Sequence, residues 1–301
     1  MKKPGDPEIK QLSESLIDEM VTAIGLPKKR LYHNLFLLLF SGITTRFAHV
    51  GLPFDKTLVI KGLPAACQGT LDLFCNPAQV SGTEFIPAEG PLLIASNHAG
   101  AYDALLIMRH VNRPDTHWIS SEIPFLDLLP NIRQHIFFAP RKDALDRALA
   151  LGNAIKHLRN GGALLYFASG HRDPDPAVFP GAEDAMEGWL DVFETFFKYV
   201  PGLQLIHSLV SGVVSSHWAH HPLTWFRRKQ IDKHRLAEFG QVISQLLKPG
   251  KLLVTPSISF NQPASEEELR KESTSGFLRE AVIAHGKALL HSHIQEFGGM
   301  L

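Results

Sequence analysis

From Gln79 onward, short apolar runs of strand length alternate with segments of helical periodicity. Four of these runs read PLLIASN, GALLYFAS, LQLIHSLVSG and KLLVTPSISF. Residues 143–160 precede the second run and carry leucine and isoleucine at near-helical spacing, until Gly161 and Gly162 end the helix. Such alternation of strands and helices is typical of α/β proteins. The sequence therefore predicts an α/β fold with a mixed central sheet and helices on both sides.

The first 78 residues have a different pattern, in which helical periodicity dominates. We expect helices near Pro7 to Ile24, Lys28 to His49 and Phe54 to Cys75, with Gly51 and Pro53 interrupting the run. This change of pattern divides the chain into an N-terminal helical region, residues 1–78, and an α/β domain, residues 79–301.

The most apolar stretch runs from Asn34 to Thr45 and is about half of the ~20 residues needed to cross a bilayer. It is therefore expected not to span a membrane. Lys28, Lys29 and Arg30 precede it, so one interpretation is an interfacial helix that contacts anionic headgroups. The other interpretation is a buried core helix, and the sequence leaves both open.

Charge and cysteine content narrow the functional classes. The 30 basic and 30 acidic residues cancel, so no net charge attracts nucleic acid. Cys67 and Cys75 are too few for a disulfide scaffold or a thiolate metal site, which suits a reducing compartment. The first residues, MKKPGDPEIKQ, lack the apolar run of a secretory signal. We expect a cytoplasmic protein without a nucleic-acid partner.

The segment SNHAGAYDALLI carries the strongest chemical signal, because His98 follows an apolar strand and Asp103 follows five residues later. Five helical steps turn through about 500°, so the two side chains can meet only if His98 lies in the turn before the helix. A carboxylate bonded to one ring nitrogen fixes the tautomer and leaves the other nitrogen to take a proton from a hydroxyl. The pattern predicts a general base.

A second pair has the same spacing, since His110 and Asp115 fall in HVNRPD. With 16 histidines in the chain, one such match is expected by chance. This pair ends a helical pattern in a proline-containing loop with no strand before it. We interpret it as accidental.

Further blocks follow His98 in an order that resembles the glycerophospholipid acyltransferase family, of the lysophosphatidate and glycerol-3-phosphate acyltransferase kind. The resemblance covers roughly residues 80–263. Its NHxxxxD block is NHAGAYD, and its second block is IRQHIFFAPRKD, with Arg141 as the arginine. Its third block is GGALLYFASGHRDPDP, which keeps Phe167, Gly170 and Arg172. The runs VPGLQLIHSLVSG and KLLVTPSISFNQP stand where the family has its later strands.

The resemblance implies an O-acyltransferase that moves a fatty acyl group from acyl-CoA or acyl carrier protein to a hydroxyl of a glycerophosphate or lysophospholipid acceptor. In that reaction His98 is the general base and Asp103 orients it, with no cofactor or metal beyond the thioester co-substrate. The acceptor phosphate would lie among Arg141, Ser169, Gly170 and Arg172. Arginine suits this task because its planar fork donates two parallel hydrogen bonds.

The third block departs from the family, because Ala168, Ser169 and His171 replace its proline, glutamate and threonine. Serine cannot anchor a neighbouring arginine as a carboxylate does. We therefore expect a more positive pocket around Arg141 and Arg172. The acceptor is expected to be anionic but held differently from the family's usual one.

Other functions remain open on the sequence. The same site could hydrolyse acyl esters with water as acceptor, or the chain could be a non-catalytic lipid-binding relative. A GxSxG elbow, which would indicate a serine hydrolase, does not occur. Two clusters could hold a metal or simply be crowded surface loops: His217, His220 and His221 in HWAHHP, and His171, Asp173 and Asp175 in HRDPD.

The expected partners are the acyl donor, the lipid acceptor and a membrane surface. We expect the protein to lie peripherally on the inner face of the membrane. Arg227, Arg228 and Lys229 could contact an acidic carrier protein, although three basic residues in a loop are more often only solvated.

Overall fold

The computed structural model describes residues 6–23, 27, 29–121, 123–140 and 143–301. Its α-helices are α1 (Pro7–Ala23), α2 (Arg30–Lys61), α3 (Leu63–Phe74), α4 (Asp103–Val111), α5 (Pro130–Arg133), α6 (Ala144–Arg159), α7 (Ala182–Met186), α8 (Phe193–Tyr199), α9 (Ser216–Ala219), α10 (Gln230–Leu247), α11 (Glu266–Glu272) and α12 (Leu278–Phe297). Its strands are β1 (Gln79–Ser81), β2 (Leu92–Ser96), β3 (Thr116–Ser120), β4 (Ile136–Phe138), β5 (Ala163–Phe167), β6 (Gln204–Ser211) and β7 (Ser257–Phe260).

The seven strands form one sheet in the order β1-β7-β6-β2-β5-β3-β4. Strands β6 and β7 pair antiparallel, and the other neighbours pair parallel. This mixed sheet with flanking helices confirms the predicted α/β fold. Strand β2 lies between β5 and β6, and all five of its residues are buried.

Both faces of the sheet are covered, as the alternating side chains of β2 show. Leu93 and Ala95 belong to a cluster completed by α6, α8 and α12. Leu92 and Ile94 belong to another, completed by α3 and α4. Because helices cover both faces, a polar ligand is expected at the carboxyl edge of the parallel strands, where the loops converge.

Helix α2 corrects the predicted break at Gly51 and Pro53, because it continues from Arg30 to Lys61 and ends at Gly62, whose φ is 84°. A proline inside a helix removes one backbone hydrogen bond. Tertiary packing compensates here, since Gly51 lies against side chains of α1 and of the loop before α5. Helix α3 consequently begins at Leu63 rather than near Phe54.

The continuous α2 is also much longer than the apolar stretch of residues 34–45 that was compared with the thickness of a bilayer. Its 32 residues, with a mean hydropathy of 1.5 and 22% burial over the most apolar part, are long and apolar enough to cross a membrane by length and composition. The length argument made from residues 34–45 therefore does not apply to the whole helix. From Thr44 onward, α2 is attached to the rest of the protein. Thr44 Oγ1 lies 2.6 Å from Ser13 Oγ. Arg46 next donates to the Leu246 and Leu247 carbonyls at 3.0 and 2.8 Å.

The N-terminal helices share one hydrophobic cluster with the rest of the molecule. Leu12 of α1 and Ala48 of α2 are buried in it together with Met108 of α4 and Ile136 of β4. The division of the chain at residues 78 and 79 stays a prediction.

Candidate active site

The loop after β2 places His98 at the carboxyl edge of the sheet. The Asn97 side chain fixes the start of this loop, because it accepts from the Val210 N–H at 2.9 Å and donates to the Val210 carbonyl at 2.8 Å. Asp103 is the first residue of α4. The histidine thus lies in the turn and the aspartate at the helix start, as their spacing required.

His98 and Asp103 are in direct contact. The distance between His98 Nδ1 and Asp103 Oδ2 is 2.7 Å, and the side chains are 27% and 1% exposed. Asp103 also accepts from the Gly100 N–H at 3.0 Å and the Ala104 N–H at 2.7 Å. These bonds leave the carboxylate no freedom to turn away from the ring.

The surroundings of Asp103 favour its ionised form. Burial acts to raise its pKa, but the charge and hydrogen bond of His98, the charge of Arg172 and the Gly100 N–H together lower the pKa below its usual value. An ionised carboxylate only accepts hydrogen bonds. Nδ1 must therefore carry the proton between the two side chains, and in the neutral ring Nε2 has the free lone pair.

Arg172 lies against the histidine ring. Its Nη1 is 2.7 Å from His98 Nε2 and 2.8 Å from Nδ1, and it donates to the Gly100 carbonyl at 2.9 Å. Since the Nδ1 proton points at Asp103, Nε2 is the atom that can accept from the guanidinium. The Arg172 guanidinium therefore lies directly beside Nε2, the atom that has to take a proton from a hydroxyl.

Glu238 of α10 holds Arg172 there and was missed by the sequence reasoning. Its Oε1 accepts from Arg172 Nη2 at 2.7 Å. Burial raises the pKa of Glu238, although the charge of Arg172 opposes this. The positive pocket expected from Ser169 is thus offset by a carboxylate on a helix far along the chain.

Asp173 is a second carboxylate that the sequence reasoning did not assign to the site. Its Oδ2 accepts from the His98 N–H at 2.8 Å, and its own N–H donates to the His98 carbonyl at 2.9 Å. Ser169 Oγ, itself buried, donates to the same Oδ2 at 2.9 Å. Burial raises the pKa of Asp173 despite these bonds. Ser169 and Asp173 therefore fix the backbone of His98, and Ser169 does not face an open pocket.

The proline-containing segment from Asp173 to Gly181 is irregular, and Asp175 anchors it. The fully buried Asp175 carboxylate accepts from the Gly212, Val214 and Ala177 N–H groups at 2.9, 2.9 and 3.0 Å. Burial raises its pKa to about 6, against the effect of these hydrogen bonds. Among the described residues, no group of three or more His, Cys, Asp or Glu side chains is arranged to hold a metal ion.

The remaining predicted residues are placed as follows. Gly170 occupies the turn after β5 with a φ of 66°, a conformation that favours glycine. Phe167, at the end of β5, stacks on the His98 ring with centroids 4.1 Å apart. Arg141 lies outside the described residues. In the second pair, His110 and Asp115, the Asp115 carboxylate instead accepts hydrogen bonds from the Arg113 guanidinium, at 2.6 and 3.0 Å.

Comparison with known proteins finds a family resemblance over part of the chain. Residues 77–199, which include the His98 loop and the Arg172 block, match the family model described as Acyltransferase. A comparison with curated proteins finds no match. Among solved structures, the chain is similar to the 1-acyl-sn-glycerophosphate (LPA) acyltransferase PlsC from Thermotoga maritima, at 16% identity and a TM-score of 0.42, covering 94% of this chain and 97% of that one.

The match of residues 77–199 indicates an acyltransferase. This match over residues 77–199 agrees with the resemblance that the sequence blocks carry.

Proposed function

We propose that this acyltransferase moves a fatty acyl group from acyl-CoA or acyl carrier protein to a hydroxyl of a glycerophosphate or lysophospholipid acceptor. The observation that carries the proposal is the 2.7 Å contact between His98 Nδ1 and the buried Asp103 carboxylate. This contact leaves Nε2 as the only ring nitrogen able to take a proton from an alcohol.

The chemistry needs two proton transfers at Nε2. His98 removes the proton of the acceptor hydroxyl while the oxygen attacks the thioester carbonyl carbon. The carbon–oxygen bond forms, the carbon–sulfur bond breaks, and the leaving thiolate takes the proton back from the imidazolium. Asp103 stabilises the imidazolium between the two steps. These steps use the thioester as co-substrate and call on no further cofactor.

We infer that Arg172 moves away from the His98 ring when an anionic acceptor binds. A phosphate on the acceptor can draw the guanidinium away, because it accepts two parallel charge-assisted hydrogen bonds from one arginine. Binding of an anionic acceptor would then expose the base at the moment when the hydroxyl arrives. A neutral acceptor would have to displace Arg172 without that compensation.

The first prediction concerns this coupling. A phosphate-bearing acceptor should raise kcat as well as lower KM, relative to a neutral monoacylglycerol of the same chain. Arg172→Ala should lower kcat/KM for the phosphate acceptor about 10- to 100-fold, because hydrogen bonds to charged groups contribute roughly 1.5–3 kcal/mol. The same variant should reduce the kcat difference between the two acceptors.

Steady-state kinetics with both acceptors would measure this. Arg159→Ala, which removes an exposed arginine at the end of α6, is the matched control and should change neither acceptor. An Arg172→Ala protein that still prefers the phosphate acceptor to the same degree would contradict the coupling.

A panel of donors and acceptors tests the function itself. Purified protein would be given radiolabelled acyl-CoA or acyl carrier protein together with glycerol 3-phosphate, lysophosphatidate or other lysophospholipids. We expect label in the acylated lipid for at least one pair. Label appearing only as free fatty acid, with every acceptor tried, would instead identify a hydrolase.

We also propose that the protein lies on the cytoplasmic face of the membrane, where its thioester donors occur, and that α2 contacts the lipid. Leu31, Leu35, Leu38 and Leu39 are all exposed. Their spacing of four, three and one residues places them on one stripe of the helix. An exposed stripe of leucines is uncommon on a soluble surface and is typical of interfacial helices.

The free part of α2 favours interfacial contact. Lys29 and Arg30 at its start are exposed and complement anionic headgroups. The fourteen residues before Thr44 extend about 21 Å, less than the ~30 Å of a hydrocarbon core. The rest of the helix is attached to α1 and α10 through Thr44 and Arg46.

The second prediction tests this contact. Leu35→Asp combined with Leu38→Asp should release the protein from anionic vesicles in a flotation assay, because each apolar side chain withdrawn from lipid removes about 1.5–3 kcal/mol. The melting temperature should change little, since Leu38 is 80% exposed and Leu35 is about half exposed.

Ile60→Asp is the control on the same helix. Ile60 is 77% exposed and lies 22 residues farther along, about 33 Å from Leu38. It should leave flotation unchanged. Equal flotation of the double variant and the natural protein would exclude the leucine stripe as the lipid contact.

A further inference from the structure

A second exposed apolar surface lies on the segment between α9 and α10. Residues 222–229, PLTWFRRK, form a short 3-10 helix over Pro222–Phe226 and a basic turn after it. We call this segment the aromatic tip. Trp225 is 73% exposed and Phe226 is 84% exposed, and Leu223 beside them is exposed too. Large aromatic side chains are seldom displayed together on a surface that contacts only water.

Hydrogen bonds and ring packing hold the aromatic tip in place. Thr224 is buried, and its Oγ1 donates to the His221 carbonyl at 2.7 Å. The Leu223 N–H donates to His221 Nδ1 at 3.3 Å, and the His221 ring stacks on Trp218 with centroids 4.5 Å apart. Trp218 in turn packs so closely on α10 that a Cβ at Gly240 would lie 2.3 Å from its ring. The inward residues therefore hold the tip and direct its apolar side chains outward.

The basic residues next to the exposed rings indicate an anionic partner. Arg227, Arg228 and Lys229 follow the aromatic residues directly, and all three are exposed. Tryptophan and phenylalanine next to basic side chains suit the headgroup region of a bilayer, where the rings lie at the boundary with the acyl chains and the cations meet lipid phosphates. An acidic carrier protein would explain the basic residues but not the exposed tryptophan and phenylalanine.

The position of the aromatic tip relates it to the candidate active site. Helix α10 begins at Gln230, directly after the tip, and Glu238 on the same helix holds Arg172 beside His98. Eight residues of helix correspond to about 12 Å along its axis. A lipid surface at the tip would thus lie close to the site where a lipid acceptor must enter.

We propose that the aromatic tip is a second lipid-contact site, which inserts Trp225 and Phe226 into the headgroup region of an anionic membrane. The inference rests on the proposed membrane location and is independent of acyl transfer. It is also separate from the leucine stripe of α2, because it depends on different side chains.

The test uses the full chain and vesicles of phosphatidylcholine with or without phosphatidylglycerol. Trp225→Ser combined with Phe226→Ser should weaken binding to the anionic vesicles at least about 10-fold, and the natural protein should bind neutral vesicles less well. Phe277→Ser is the matched control, since Phe277 is 62% exposed in the loop before α12. It should bind as the natural protein does. No substrate is present, so a failure of the proposed catalysis cannot affect the result.

Fluorescence gives a second measurement. Vesicles with brominated acyl chains should quench part of the tryptophan emission, and Trp225→Phe should remove that part. Trp189, one of the four tryptophans, is buried and should stay unquenched. Unchanged vesicle binding by the double variant, with no quenching assigned to Trp225, would overturn the proposal. So would a double variant that loses binding to acyl carrier protein while it keeps vesicle binding.

Discussion

His98→Ala is expected to lower the rate of acyl transfer at least about 10³-fold while the protein stays folded. In the proposed mechanism, the substitution removes the group that takes the proton of the acceptor hydroxyl. The fold should survive because the His98 backbone, which Asp173 holds through two hydrogen bonds, is unchanged. The comparison of kcat and of melting temperature between variant and natural protein measures both parts.

His110→Ala is the control for this prediction. His110 has the same sequence spacing to an aspartate, but Arg113 holds that aspartate, Asp115. The variant should keep nearly full activity. A folded His98→Ala protein with the activity of the natural enzyme would refute the mechanism.

Asp103→Asn is expected to lower kcat about 10²-fold or more, with little change in KM for the donor. Asp103 accepts bonds on both oxygens, from the His98 ring and Gly100 on one and from Ala104 on the other. An amide cannot accept on both sides, since one side carries an NH₂ group. If the NH₂ group faces the ring, it donates to Nδ1 and the ring proton lies on Nε2. Nε2 then cannot accept the proton of the hydroxyl. In either orientation the imidazolium loses its counter-charge.

Asp115→Asn is the matched control, because Asp115 is also paired with a basic side chain but lies away from His98. It should leave kcat unchanged. If Asp103→Asn retained the natural rate, Asp103 would be only a structural cap of α4.

The sequence predicted the central strands because their signal is local. The runs that became β2 and β5 are apolar over most of their length, and their burial follows from that composition. In β6 four of the eight residues are apolar. Strand β3, THWIS, carries histidine and threonine and has no such run. It is a strand because β5 and β4 pair with it on either side. Likewise Pro53 indicated a helix end, and only packing against other parts of the chain shows why α2 continues.

The candidate site likewise contains residues with a local sequence signal and residues whose role depends on long-range contacts. His98 and Asp103 were found because both lie in one loop of the sequence. Glu238 could not be found, since its role depends on a contact with Arg172 across 66 residues of chain. Asp173 was visible as a residue but was considered only as a possible metal ligand. Its bonds to the His98 backbone arise from how the loops after β2 and β5 meet.

The protonation of the His98 ring tests the central claim most directly. ¹⁵N NMR of histidine-labelled protein, with the His98 signals identified by their absence from His98→Ala, distinguishes a protonated from an unprotonated ring nitrogen. Under conditions where the enzyme transfers acyl groups, we expect the proton of the neutral ring on Nδ1, facing Asp103, and a bare Nε2. A ring that carries its proton on Nε2, with Nδ1 bare, would contradict the account, because Nε2 could then not accept the proton of a hydroxyl.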